Sequence, residues 1–373
     1  MIREDVQILV RPDRVVRLET RSSGRAEARM DPPLELLQQA VLTLERGAGD
    51  RDLLVALGSV LYEALFPPGH QEVLRQARER CVDPQDRIRL RITCRDPVLA
   101  ALPLEAMYDP IARMWPATAP HLSLVRQPDV ATPPVPTRQR GLHVVLAAPT
   151  PSDLPRLHWE AEVSALQEAL GPHLRAGTAR LTVRGGADAD LNGVGQALQQ
   201  TPAQVLHLVC HGVGARGDHD GGLMWTGADG RSARVSGEAL AALLSGSARP
   251  RLVVLNACHS AELPGAEREE PVEDWWLRTR GRGVATALLE AGVPAVLAMQ
   301  GRVRDEHAIH FTRGLYQALA DGLGVEQAVQ RARGGLHAHL LARDPASLAF
   351  CAPVLLLASA QGDLFDLSPG DAP

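Results

Sequence analysis

The spacing of hydrophobic and polar positions changes near the middle of the chain. Before the change, the pattern predicts short strands and amphipathic helices in a mixed order. The strands are expected within 5–20 and at 87–94, where charged and apolar residues alternate as in a half-exposed strand, and the helices at 33–46, 51–65 and 70–81. The segment 128–141 holds four prolines, Pro128, Pro133, Pro134 and Pro136, which indicates a linker.

After the linker, short apolar runs alternate with amphipathic helical patterns. The apolar runs are GLHVVLAAP, ARLTVRG, AQVLHLVC, PRLVVLNAC, PAVLAM and APVLLLA. Near-continuous apolar strands separated by helices predict an α/β fold with a mostly parallel sheet covered on both faces. In such sheets the chemistry lies at the carboxyl ends of the strands.

Two of these strands end in reactive residues. AQVLHLVC leads into His211 and Gly212, and PRLVVLNA leads into Cys258. One helix lies between them, so a right-handed crossover makes the strands neighbours and brings the two side chains together. A thiol needs an adjacent base to form a thiolate near neutral pH, and His211 supplies one. The N–H groups of Gly212 and Cys258 are the expected oxyanion hole. On residue types alone, a buried thiol with a capping imidazole explains the pattern equally well.

The motifs around these residues resemble a known family. VLHLVCHG is similar to the H-x-x-x-H-G strand of the CHAT family of caspase-related domains, and RLVVLNACHSA is similar to its segment around the nucleophile. LGSVLYEALFP, DPVLAALPLEAMYDP and the SLVR strand resemble the family's upstream region. The resemblance implies a caspase-like α/β/α sandwich with a mostly parallel sheet, and peptide-bond hydrolysis by Cys258 and His211. It also implies an N-terminal α+β accessory lobe at 1–130 and a catalytic domain at 141–373.

The substrate pocket departs from the family's relatives at two positions. Asn256 stands two residues before the nucleophile, where metacaspases carry an Asp that pairs with a basic substrate residue. A neutral amide cannot neutralise a buried cation, so strict cleavage after Arg or Lys is not expected unless Asp218 or Asp220 lines the pocket. Gln300 stands where many CHAT domains have Trp, which predicts a more open wall.

The connection after the nucleophile is long and strongly charged. Segment 260–282 has an acidic half, then Trp275 and Trp276, then an arginine-rich end. The resemblance places the corresponding loop at the substrate cleft. We therefore expect the chain to be poorly active until a protein partner, or a cut in this segment, rearranges it. The two tryptophans either border the pocket or pack against the sheet.

Several weaker motifs are given structural explanations. GVGARG has the spacing of a dinucleotide-binding loop, but a hairpin pattern follows it instead of a helix. His207 is expected to be a core histidine, and Cys210, as the strand neighbour of His211, should face the opposite way. His307 and His310 lie near a helix start with Asp305 as its predicted N-cap, so no metal site is assigned.

Composition limits the function classes. The formal net charge is -5 with no basic stripe, which argues against a nucleic-acid partner. No apolar run reaches the ~18 residues of a membrane span, and the N-terminus lacks a signal-peptide core, so a cytoplasmic location is expected. The five cysteines are scattered without a C-x-x-C pair, which indicates neither zinc nor a disulfide framework, and no cofactor is expected.

Three functions follow from this pattern. The first is a cysteine endopeptidase with a protein substrate and an activating protein partner, and the family suggests a role in bacterial defence or cell death. The second is an idle scaffold that uses the same fold for protein interaction. The third is a cysteine hydrolase or acyltransferase that acts on a non-peptide substrate.

Overall fold

The computed structural model describes residues 2–22, 24–83, 85–129, 139–200, 202–213, 221–244, 249–257, 283–301, 303–359 and 362–367. The chain divides into two compact units. The first comprises Met1–Asp129 and Val329–Val354, and the second comprises Val130–Ala328 and Leu355–Pro373. The roles predicted for 1–130 and 141–373 remain predictions.

The first unit combines strands and helices in a mixed order. Its elements are β1 Ile2–Val10, β2 Val15–Thr20, β3 Gly24–Arg29, α1 Leu34–Glu45, α2 Arg51–Leu65, α3 Pro68–Glu79, β4 Arg87–Cys94, α4 Pro97–Ala100 and β5 Leu122–Arg126. The strand order is β3-β2-β1-β4-β5. The hairpin pairs β1–β2 and β2–β3 are antiparallel, whereas β1–β4 and β4–β5 are parallel.

Strand β4 is more deeply buried than its alternating sequence predicts. Arg89 and Arg91 are only 7% and 3% exposed. Parallel pairing sets Asp5 of β1 opposite Arg89, and the Arg89 guanidinium donates from Nε and Nη2 to its two carboxylate oxygens at 3.1 and 2.6 Å. The prediction of a half-exposed strand was wrong because a charge pair from the neighbouring strand allows these guanidiniums to be buried.

The second unit alternates strands and helices, as the sequence predicts. Its elements begin with β6 Gln139–Arg140, β7 Leu142–Ala148, α5 Trp159–Ala176, β8 Ala179–Gly185, α6 Leu191–Gln200, β9 Val205–Val209, β10 His211–Val213, β11 Gly222–Thr226, β12 Ser232–Ser236 and α7 Gly237–Leu243. They continue with β13 Leu252–Asn256, α8 Val284–Glu290, β14 Ala295–Met299 and α9 Asp305–Ala320. α10 Val325–Leu341 and β15 Pro353–Leu357 contribute residues to both units, and β16 is Phe365–Asp366.

The sheet of the second unit is parallel and covered on both faces. Its strands run in the order β14-β13-β9-β7-β8, and each adjacent pair is parallel. On one face, Leu206 and Leu208 join a buried cluster with apolar side chains of α6, α7 and α8. On the other face, His207 meets α5 and α9 through Glu162 and Tyr316. The predicted fold class, α/β with a mostly parallel sheet, is confirmed.

A small antiparallel sheet follows β9. Cys210 separates β9 from β10, so His211 begins a new strand, and β10-β11-β12 pair in that order. The hairpin predicted after GVGARG is therefore present. Ser236 ends β12 and caps α7, because its Oγ accepts from the N–H of Ala239 at 3.1 Å.

Candidate active site

The carboxyl ends of β9 and β13 lie side by side at one edge of the sheet. Their register pairs Val209 with Asn256, and the N–H of Cys210 donates to the carbonyl oxygen of Asn256 at 3.2 Å. His211 follows Cys210 directly, and Cys258 comes two residues after Asn256 in the sequence. Cys258 itself lies outside the described residues. The structure thus brings the chain leading to both predicted dyad members to neighbouring strand ends.

The imidazole of His211 is held by a backbone carbonyl. Its Nε2 lies 2.8 Å from the carbonyl oxygen of Pro155, in the loop between β7 and α5. A carbonyl oxygen only accepts, so Nε2 carries the proton and donates it to this bond. In the neutral ring, Nδ1 then keeps its lone pair and is the nitrogen able to act as a base.

A cavity opens beside His211 within the second unit. The described residues that line it are Leu157, His158, Glu162, Val209, Cys210, His211, Asn256, Val303, Asp305, Ala308 and Ile309. They come from α5 and the segment before it, from the ends of β9 and β13, and from α9 and the residues before it. Such a convergence of polar groups at the carboxyl edge of a parallel sheet is typical of a binding site.

Asp305 has a different role from the one predicted. Helix α9 is preceded by Arg304 at the N-cap position, with no side-chain capping bond. The Asp305 carboxylate instead accepts from both the N–H and the Nδ1 of His158, each at 3.0 Å. The N-cap prediction was therefore wrong, because a second element supplies better donors for this carboxylate. The His158–Asp305 pair ties the segment before α5 to α9 at the cavity wall.

Beneath the cavity, a buried carboxylate gathers three hydrogen bonds. Glu162 Oε1 accepts from Nε2 of His207 at 2.9 Å and from Oγ1 of Thr312 at 2.6 Å. Its Oε2 accepts from Nδ2 of Asn256 at 2.7 Å. His207 is fully buried, as expected of a core histidine, and its Nδ1 lies 2.9 Å from the hydroxyl of Tyr316. Burial, and then the Glu162 charge, raise the pKa of Tyr316 well above its usual value.

The protonation of this cluster follows from these contacts. Because the raised pKa keeps the Tyr316 hydroxyl protonated, that hydroxyl can donate to His207 Nδ1. His207 Nε2 then carries the ring proton and donates to Glu162. All three groups around the carboxylate are therefore donors, which is the arrangement that an ionised, buried Glu162 requires.

The remaining predicted site residues are distributed as follows. Gly212 is buried in β10 opposite Leu223, and Gln300 is half-buried directly after β14. Neither is among the described residues that line the cavity. Cys210 is 2% exposed and belongs to the core cluster, although it also borders the cavity. Asp218, Asp220, Trp275, Trp276 and the segment 260–282 lie outside the described residues.

Sequence reasoning missed Glu162 and Pro155. Glu162 did carry a signal, since it shares the buried face of α5 with Ala165 and Leu166, three and four positions later. A charged residue on an apolar stripe must find buried partners. Pro155 carried none, because it contributes only its carbonyl group.

Two features are absent from the described part of the chain: a metal-ligating cluster and a membrane-spanning helix. There, no group of three or more His, Cys, Asp or Glu side chains is arranged to hold a metal ion. No described helix is long and apolar enough to cross a membrane.

Comparison with protein families gives a match over most of the chain. The CHAT domain model matches residues 55–345. None of the curated proteins matches the sequence.

Among solved structures, the chain is similar to several at low sequence identity. The Arg-specific cysteine proteinase gingipain R is 8% identical, over 81% of this chain and 70% of that one, with a TM-score of 0.44. The complex of Porphyromonas gingivalis RgpB pro- and mature domains is 8% identical, over 88% and 75%, with a TM-score of 0.47. The Saccharomyces cerevisiae separase–securin complex is 13% identical, over 85% of this chain but 20% of that one, with a TM-score of 0.40.

Proposed function

Because the chain belongs to the CHAT domain family, we propose that it is a cysteine endopeptidase that cleaves proteins with Cys258 as nucleophile and His211 as base. The observation that supports this most is the bond from His211 Nε2 to the Pro155 carbonyl at 2.8 Å. It fixes the ring with Nδ1 as the basic nitrogen, at the strand end next to the one that leads into Cys258.

The proposed reaction proceeds in two halves. His211 Nδ1 takes the proton of the Cys258 thiol, and the sulfur attacks the scissile carbonyl carbon. The N–H groups of Gly212 and Cys258 stabilise the resulting oxyanion. As the C–N bond breaks, His211 returns the proton to the leaving amine, so a thioester remains on the enzyme. Water, deprotonated by His211, then attacks this thioester, the C–S bond breaks to release the acid, and His211 returns the proton to the Cys258 sulfur.

The Pro155 carbonyl supports both halves of this cycle. When His211 is protonated, both ring nitrogens are donors. Nε2–H continues to donate to the carbonyl, whose partial negative charge stabilises the imidazolium, while Nδ1–H is available to the leaving group. No side-chain carboxylate is needed for this orientation.

The proposal also covers the substrate, the activation and the cellular role of the enzyme. The substrate is a protein, and a protein partner or a cut within 260–282 releases full activity. The enzyme acts in the cytoplasm, in a bacterial defence or cell-death response.

A peptide-library cleavage profile tests the endopeptidase proposal. We expect the wild-type chain, with candidate partner proteins supplied, to cleave a defined set of peptides, and Cys258→Ala to lower that cleavage by at least ~10³-fold. Cleavage by Cys258→Ala at the wild-type rate would refute the assignment of Cys258 as the nucleophile. Absence of cleavage by every form, with normal folding, would favour the idle scaffold instead.

A further inference from the structure

The buried cluster around Glu162 adjoins the cavity beside His211, yet the hydrolytic cycle makes no use of it. The Glu162 side chain is 2% exposed. Although Glu162 borders the cavity, its carboxylate oxygens already accept three hydrogen bonds from the protein. A carboxylate is costly to bury, and the three donors that surround this one fix it as an anchor between the elements that supply them.

Asn256 is held through both its main chain and its side chain. The Asn256 carbonyl oxygen accepts from the N–H of Cys210 at 3.2 Å, and its side-chain Nδ2 donates to Glu162 Oε2 at 2.7 Å. The first bond ties the end of β13 to the residue before His211. The second ties the same residue to helix α5. Asn256 is thus fixed in position and in rotation about the strand axis.

Glu162 is in turn attached to the strand that leads to His211. Its Oε1 accepts from His207, four residues before His211 on β9, and from Thr312 of α9. One carboxylate therefore joins β9, β13, α5 and α9. Because β9 leads to His211 and β13 leads to Cys258, the carboxylate spans the two chain segments whose separation the dyad depends on.

We propose that Glu162 is a positioning residue of the peptidase: its buried carboxylate anchors Asn256 and so determines where residue 258 stands relative to His211. The inference rests on the proposed function for the identity of the nucleophile. Its physical basis is that a displacement of about 1 Å between reacting groups can cost about 10²-fold in rate. Asn256, two residues before the nucleophile, transmits such a displacement with little attenuation.

A double-mutant cycle tests the inference. Glu162→Ala and Asn256→Ala should each lower kcat by about 10²-fold with KM changed by less than about threefold. If Glu162 acts through Asn256, the double variant should be no slower than the slower single variant. Glu162→Gln should recover most of the rate. Its Oε1 can accept from His207 and Thr312, and a rotated Asn256 amide can accept from its Nε2.

A matched control lies on the same helix. Glu168 of α5 also accepts from α9, through Nε of Arg313 at 3.2 Å, but its side chain is 64% exposed. Glu168→Ala removes a carboxylate between the same two helices without touching Asn256. We expect its kcat to equal that of the wild type.

Alkylation of Cys258 by iodoacetamide, mapped by mass spectrometry across about pH 5 to 9, reads the dyad without a substrate. We expect Glu162→Ala, Asn256→Ala and His211→Ala each to slow alkylation near pH 7 by ~10-fold or more. If no peptide is cleaved, the endopeptidase proposal fails. If the alkylation of wild-type Cys258 nevertheless depends on His211, the alkylation rates of Glu162→Ala and Asn256→Ala alone decide the positioning role.

Other outcomes would overturn the positioning role. Multiplied losses in the double variant would show that Glu162 acts independently of Asn256. An unchanged kcat in Asn256→Ala would also show that Glu162 does not act through Asn256. If Glu162→Ala does not fold, the kcat of Asn256→Ala decides whether the positioning role stands. Wild-type kcat and alkylation in folded Glu162→Ala would leave the cluster a purely structural element.

Discussion

At the scale of single residues, the imidazole of His211 is the best-defined part of the proposed chemistry. Its Nε2 is bonded to the Pro155 carbonyl, so proton transfer is assigned to Nδ1. A backbone carbonyl cannot be removed by a side-chain substitution. The orientation of this histidine is therefore protected against most single mutations of the loop that holds it.

His211→Ala should lower peptide hydrolysis by at least ~10³-fold, because the thiol loses its base and the leaving amine loses its acid. Cys210→Ala should keep most activity, since that thiol is 2% exposed and belongs to the hydrophobic core. Hydrolysis assays on both variants make the comparison. A collapse of activity in a folded Cys210→Ala protein would show that the wrong thiol has been assigned.

Asn256 should prevent strict cleavage after Arg or Lys. Its amide is neutral, and the carboxylate it contacts, on Glu162, is buried and accepts three bonds from the protein. A basic substrate side chain would therefore meet no free acid from these two residues. The cleavage profile measures this preference, and cuts confined to Arg or Lys would contradict it.

Cys94 should be almost inert near neutral pH. Burial raises the pKa of its thiol to about 11. A raised thiol pKa means fewer thiolates at a given pH, so about one part in 10⁴ is ionised near pH 7. Alkylation of Cys94 should therefore rise steeply only above about pH 10 and stay at least ~100-fold slower than that of Cys258 at neutral pH. Similar labelling rates at the two cysteines would argue against an activated Cys258.

At the scale of elements, the sequence was informative where a segment is buried by its own apolar residues. Strands β7, β9, β13 and β14 were predicted because each is an apolar run. Strand β3, Gly24–Arg29, was missed, since its side chains are exposed or half-buried and it exists through backbone pairing with β2. The burial of Glu162 was missed for a related reason: its partners lie 45, 94 and 150 residues away along the chain.

The segment 260–282, between β13 and α8, should control activity. Its acidic and arginine-rich halves can pair with each other or with a partner, and an exposed ion pair contributes only ~0–1 kcal/mol, so alternative arrangements differ little in free energy. We expect a protein nicked between 262 and 280 to hydrolyse peptides at least ~10-fold faster than the intact chain without a partner. Comparing the intact, nicked and partner-supplemented forms measures this. Equal, full activity in all three would leave the segment without a regulatory role.

At the scale of the whole molecule, the first unit depends on a fully buried guanidinium. Arg333 of α10 donates from Nε and Nη2 to the Pro353 carbonyl at 2.9 and 2.6 Å, and from Nη1 to that of Leu124 at 3.3 Å. Its Nη2 lies 4.0 Å from the buried carboxylate of Glu105. These contacts lie within the first unit, far from the proposed dyad in sequence.

Arg333→Leu should destabilise the protein by about 3–5 kcal/mol, because it leaves buried carbonyl groups and part of a buried ion pair unsatisfied. Thermal or urea unfolding followed by circular dichroism measures the loss. Arg331→Leu, at an exposed position of the same helix, is the control and should change stability by less than about 1 kcal/mol. Equal stability of the two variants would show that water replaces the missing donors.

The first unit is built from two segments of the chain that are far apart in sequence, and this has a consequence for folding during translation. Residues 329–354 belong with residues 1–129, so Glu105 and the Leu124 carbonyl reach the ribosome exit long before Arg333 is synthesised. At about 5–20 residues per second, the nascent N-terminal segment waits on the order of 10–40 s for its buried cation. We therefore expect the N-terminal segment to depend on holding chaperones during translation and, when it is expressed alone, to stay incompletely folded.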